Sequence, residues 1–176
     1  MEWSTRFRGT GVGMTLRLEV PAYDPAGEVN LAGFTGSLTT YALGVSTLLA
    51  LVRSSGQSLP EGYSAGDLAV GALATHKLSR LVAKSSVASP IRAPFTEFGG
   101  AAGAGEHDEQ PRGKHGLRHT VGELLTCPFC LSVWVGTAYV AGLAAAPRPT
   151  RASAALLTVV AGSDFLQHLY QRLRDG

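Results

Sequence analysis

The sequence predicts an all-α integral membrane protein with about four spanning helices. Three observations lead there. The stretches 31–52 and 124–146 contain no Asp, Glu, Lys or Arg, and as helices each covers a hydrocarbon core of about 30 Å. Charged residues make up only 16% of the chain, against about 25% in soluble domains. A small soluble bundle would also need a polar stripe along every helix, and neither stretch has a charged face.

Residues 1–30 mix Arg, Glu, Gly and Pro and read as an N-terminal tail. Within it "TLRLEV", Thr15 to Val20, alternates as a short strand or extended arm would. A membrane helical domain then covers 31–174. Its first span, about 31–52, is stopped by Arg53 and the turn-rich "SSGQSLPEG". The second, about 67–84, opens on Asp67 as a helix cap. Its second half carries His76, Lys77, Arg80 and Lys84, long side chains that snorkel to an interface or meet anionic headgroups. A polar connection, 85–122, follows. Pro90 and Pro94 favour extended backbone around Arg92, and "GGAAGAGEHDEQPRGKHG" has the composition of a flexible loop. The third span, about 124–146, is ended by "PRPTR". The fourth, about 152–170, is apolar up to Gly162 and then meets Asp164 and His168.

Lys and Arg placement gives the orientation. With the N-terminus inside, Arg6, Arg8, Arg17, the basic residues of the long loop, Arg172 and Arg174 are cytoplasmic, and Arg53, Arg148 and Arg151 are outside. Both termini and the loop are therefore expected on the cytoplasmic side of a multi-pass cell-membrane protein. The expected partner is the lipid bilayer, together with other membrane proteins or a second copy of the chain. A net charge of +2 without aromatic-basic motifs argues against nucleic acid. With only two cysteines, no secreted-type disulfide framework can form.

Three blocks in order, "THKLSRLVAKSSVASPIRAPFTEF" (Thr75 to Phe98), "GELLTCPFCLSVWVG" (Gly122 to Gly136) and "VVAGSDFLQHLY" (Val159 to Tyr170), resemble the bacterial membrane proteins grouped as domain of unknown function 1360. The resemblance covers roughly Asp67 to Tyr170. It implies a small multi-helix bacterial membrane protein and names no activity.

Three constellations carry chemistry. Cys127-Pro128-Phe129-Cys130 stands where an apolar helix begins. Pro128 suits a first helical turn, and the helix dipole there favours a thiolate. The pair fits thiol–disulfide exchange, with Cys127 attacking and Cys130 resolving. With His115 and His119 the same cysteines offer an S2N2 set of the kind zinc accepts. As packing residues they would have no chemistry at all. Asp164 and His168 share a helix face, and Asp164 is placed to take a salt bridge or hydrogen bonds from Lys77, Arg80 or His76, forming a polar core between spans two and four. An ionisable group in a span is also a candidate for transport. Finally, His76, Lys77, Arg80 and Lys84 form a basic helix end. The leading reading is a non-enzymatic structural or interaction component. Thiol oxidation and a small transporter with Asp164 in its pathway are the alternatives.

Overall fold

The computed structural model describes residues 23–56, 60–103 and 105–175. The Thr15–Val20 arm lies outside them. The chain is mostly helical: α1 Leu31–Ser54, α2 Ala65–Lys84, a 3₁₀ turn Ser86–Ala88, α3 Ser89–Arg92, β1 Thr96–Gly103, β2 Glu106–Pro111, α4 Leu117–Thr126, α5 Pro128–Ala145 and α6 Pro147–Asp175.

Two of these helices, α1 and α5, are long and apolar enough to cross a membrane. Their mean hydropathies are 1.4 and 1.5, and 0% and 11% of those stretches are buried within the molecule. Four such helices were expected. The charges on α2 and on the second half of α6 lower the apolar character of both.

The boundaries follow local chemistry. Asn30 caps α1, its side-chain oxygen accepting the Gly33 N–H at 3.1 Å. At α2 the cap is Ser64, which accepts the Asp67 N–H at 3.0 Å; Asp67, the expected cap, sits in the first turn instead. The expected third span, 124–146, is broken. Cys127 is extended (φ −103°, ψ 102°) and separates α4 from α5. Pro128 is the reason, since it lacks an N–H and pushes the preceding residue out of the helical region.

α2 is the hub, packed against α5 and α6. Asp67 pairs with Arg151 near the start of both α2 and α6, and Lys77 pairs with Asp164 further along both. Thr158 Oγ1 donates to the Val70 carbonyl between them. The two helices therefore run parallel. Gly71 lets the Tyr139 ring of α5 lie on α2, and a Cβ there would sit 2.2 Å from Cε1. Tyr139 in turn donates its hydroxyl hydrogen to the Asp67 carbonyl at 2.7 Å. α1 lies against α4 and α5. Asn30 Nδ2 donates to Thr120 Oγ1 (2.9 Å) and Glu123 Oε2 (2.7 Å). Lower down, Tyr41 hydrogen-bonds Thr137 and meets Trp134 edge-on.

The core is built from small side chains. Ala74, Ala83, Ala88 and Ala154 are buried together with Leu131 and Leu143, while Leu38, Leu43, Leu156 and Phe165 point outward. Close helix contact through small residues, with large apolar groups outside, is the pattern expected where lipid and not water surrounds the helices.

The expected flexible loop 85–122 carries regular structure. β1 and β2 pair antiparallel from Thr96↔Pro111 to Gly103↔Glu106, with register shifts at Phe98/Gly100 and Ala101/Gly103. Gly103 (φ 86°) and Gly105 (φ 77°) allow the turn. The Ser86 N–H donates to Gly105 O at 2.9 Å, tying the turn to the end of α2.

Gly71→Ala is expected to lower the melting temperature of the protein in mild detergent, because the Tyr139 ring must shift and strain its hydrogen bond to the Asp67 carbonyl; overpacking of this kind costs about 1–3 kcal/mol. Gly44→Ala in α1, where a Cβ meets nothing within 4 Å, should leave it unchanged or raise it. Thermal melts of both variants check this.

Candidate functional site

The functional geometry centres on the basic side of α2. Lys77 Nζ forms an ion pair with Asp164 Oδ2 of α6; the side chains are 17% and 44% exposed. This is one of the pairings the sequence suggests. The other predicted members of that polar core stand elsewhere: His76 and His168 are exposed, and Arg80 turns to the hairpin. Its Nε donates to Glu106 Oε1 at 2.7 Å and its Nη2 to Glu106 Oε2 at 2.8 Å. Lys84 Nζ lies 3.5 Å from Asp108 Oδ1. Snorkelling to lipid headgroups was expected of these cations; carboxylates of the same chain meet them instead.

The spacing explains the fit. Arg80 and Lys84 are one helical turn apart, about 6 Å, and Glu106 and Asp108 are two strand residues apart, about 6.8 Å. Alternation then sends His107 and Glu109 to the opposite face of β2. There lies the feature absent from the sequence reading. Arg92 is wholly buried, and its Nε and Nη2 donate to the two oxygens of Glu109 at 2.9 and 2.6 Å. Arg92 Nη1 also donates to Val82 O, the carbonyl of an α2 residue, at 2.6 Å. Thr96 Oγ1 and Ser89 Oγ donate to Glu109 at 2.7 and 2.8 Å. His107 Nδ1 is 2.9 Å from Ser89 Oγ. Both charges are thus paired and hydrogen-bonded, the condition under which burial is tolerable. The donors hold the Glu109 carboxyl well below its ordinary 4.5, at about 2, with Arg92 the largest cause and burial opposing it.

α4 clamps the other side of the hairpin. Arg118 Nε of α4 donates to Pro94 O at 2.5 Å, just before β1, and Arg112, which follows β2, donates from Nη2 to Thr96 O at 2.9 Å. Gly122 permits the approach, since a Cβ there would stand 2.5 Å from Phe95 O. The signal for this unit was present in the sequence as acids at two-residue spacing facing bases at four-residue spacing.

Cys127 caps α5. Its Sγ accepts the Cys130 N–H at 3.2 Å, Cys130 is exposed, and both thiols are free. The two histidines do not join them. His119 Nε2 lies 3.5 Å from Glu123 Oε1, and His115 is exposed in the bend before α4. Among the described residues no three His, Cys, Asp or Glu side chains gather as a metal-binding group, so the S2N2 zinc set is not assembled. Four residues of one strand-free segment need a chain reversal to converge, and α4 keeps His119 and Cys127 more than two turns apart.

Fold and site together define a mostly helical protein with two apolar, outward-facing helices and an ion-paired hairpin docked on a third. Residues 70–170 match the family described as a protein of unknown function, DUF1360. The match spans more than half the chain, and the chain belongs to that family. It takes in Lys77, Arg80, Arg92, Glu109, the cysteine pair and Asp164, while α1 lies outside it. No curated protein and no solved structure matches the chain.

The Glu109 shift fixes a pH dependence. A carboxyl whose folded value is depressed stabilises the fold above the ordinary carboxyl range and loses that contribution as pH falls through about 4.5 towards about 2. The amount is on the order of 3 kcal/mol. Melting temperature in detergent should hold level from pH 7 to about 5 and fall below it, and Glu109→Gln should start lower and flatten that fall. An equal acid-side fall in both proteins would refute the assignment.

Proposed function

We propose that the protein is a four-span integral membrane protein with a structural or interaction role, not an enzyme. α1, α2, α5 and α6 cross the bilayer. The hairpin and α4 form a cap on the cytoplasmic side, where both termini also lie. The observation that carries this reading is the placement of charge. Lys77 and Asp164 pair between two helices that also bear exposed Leu73, Leu81, Leu156 and Val159. A span holding ionisable residues survives in lipid when they pair inward. The parallel course of α2 and α6 supports the same reading, since the second and fourth of four spans must run in one direction. Arg151, paired with Asp67, falls at the outer end, and Arg172 and Arg174 fall at the inner end, in line with the basic bias towards the cytoplasm. The structural role follows from how the polar groups are used: Lys77, Arg80, Lys84 and Arg92 are each taken up by a carboxylate of the same chain.

One observation favours a second reading. Cys127 sits at the start of α5 with its Sγ accepting the Cys130 N–H, and Cys130 is exposed beside it. That is an arrangement suited to thiol–disulfide exchange with a reducible partner in the cytoplasm.

The four-span reading predicts that the protein stays in the membrane pellet after alkaline extraction. In a Cys127→Ala/Cys130→Ala background, a cysteine at Gly62 should react with an impermeant maleimide in intact cells. One at Lys114 should react only after permeabilisation. Extraction into the supernatant, or labelling of Lys114→Cys in intact cells, would contradict the proposal.

A further inference from the structure

We infer that Cys127 and Cys130 together bind one soft monovalent cation, Cu(I) foremost, between their two sulfurs. The site goes beyond the structural role proposed above, and neither the number of spans nor their direction enters it. It uses the same thiols as the exchange reading but transfers no electrons.

The geometry comes from the way α5 begins. Pro128 holds Cys127 in the extended conformation of a helix cap (φ −103°, ψ 102°). A cap side chain turns back over the first turn towards the third helical residue, and the side chain of that residue can turn back towards the cap. The third residue here is Cys130. Its N–H donates to Cys127 Sγ at 3.2 Å, and its thiol lies against that of Cys127. Both thiols are free and Cys130 is exposed, so the pair is open to an ion from outside.

The number of ligands selects the ion. Zinc in a structural site takes four ligands arranged tetrahedrally, and among the described residues no three His, Cys, Asp or Glu side chains gather. Glu123, one turn before Cys127, is taken up elsewhere: its Oε1 lies 3.5 Å from His119 Nε2, and its Oε2 accepts from Asn30 Nδ2 at 2.7 Å. Two sulfurs remain. Thiolate sulfur is a soft ligand that selects Cu(I) over hard cations, and a closed-shell monovalent ion of this kind is satisfied by two thiolates in line. On binding, each thiol loses its proton and each sulfur forms one bond to the ion. Two protons are released, and the copper stays Cu(I). The bound unit carries one net negative charge, which the Cys130 N–H at the start of α5 already faces.

The test uses the full-length protein, purified in mild detergent, reduced and freed of reductant without air, with both thiols of the chain confirmed by titration. Added to Cu(I) held by bicinchoninate, it should withdraw one Cu(I) per chain, read as loss of the coloured complex. The copper should then protect both cysteines from maleimide. Ag(I) should protect them equally, and Zn(II) should not. Cys127→Ser keeps a side-chain acceptor for the cap of α5, so it should melt as the wild type does and yet lose the copper, as should Cys130→Ser. His115→Ala and His119→Ala should retain it. A wild-type protein with two reduced thiols that withdraws no copper overturns the inference, and so does copper retained by either serine variant. Protection by Zn(II) that disappears in the histidine variants assigns a zinc set instead and overturns it as well. Release of the chain from the membrane by alkali is a separate readout that removes the four-span reading alone.

Discussion

The cations of α2 must find carboxylates, and that requirement organises the molecule. Lys77, Arg80 and Lys84 follow one another along the helix, and each meets its own acid: Asp164 of α6, then Glu106 and Asp108 of β2. Arg80 and Lys84 meet the hairpin at the surface, where such a pair contributes about 0–1 kcal/mol and orients more than it holds. An unpaired charge costs several kcal/mol only where it is buried. Beneath them, Arg92 repeats the arrangement in fully buried form, bonding Glu109 and the Val82 carbonyl and so joining the hairpin to the end of α2.

The consequence is a division of labour between surfaces. Small residues such as Gly71, Ala74 and Ala154 bring helices into contact, and large apolar residues are left outside. The Arg80, Lys84 and Arg92 pairs lie at the end of α2 where the hairpin and α4 sit, and the Asp67–Arg151 pair lies at its other end. A cap held by the buried Arg92–Glu109 pair carries regular structure where its Gly-rich composition suggests a loop. It presents the Cys127–Cys130 turn and the start of α5 in a fixed relation to α4. For a protein whose family has no assigned activity, this places the chemistry worth probing on one side of the molecule.

The sequence was legible where one physical signal dominates. Unbroken apolar runs located α1 and α5, and Pro128 beside a cysteine marked a helix start. An aspartate amid apolar residues demanded a basic partner, and Lys77 was among those named for it. Legibility failed where the signal depends on tertiary pairing. "GEHDEQP" has the composition of a disordered linker, yet alternate residues of that strand face different bases of α2 and α3. Composition does not record which face a residue takes. The same limit explains Arg80: on a helix wheel it shares a side with Lys77, and only the hairpin, which composition does not reveal, draws it away from Asp164. The zinc set is not gathered among the described residues: spacing suggested convergence of His115, His119 and the cysteines, while α4 stands between His115 and Cys127.

The central claim, that each α2 cation answers to its own carboxylate, is tested most directly by a pair of double-mutant cycles on melting in mild detergent. Lys77→Met with Asp164→Asn should be non-additive, with a coupling of about 0.5–3 kcal/mol, while Arg80→Gln with Asp164→Asn should be additive within about 0.5 kcal/mol. Additivity in the first cycle, or strong coupling in the second, would contradict the account.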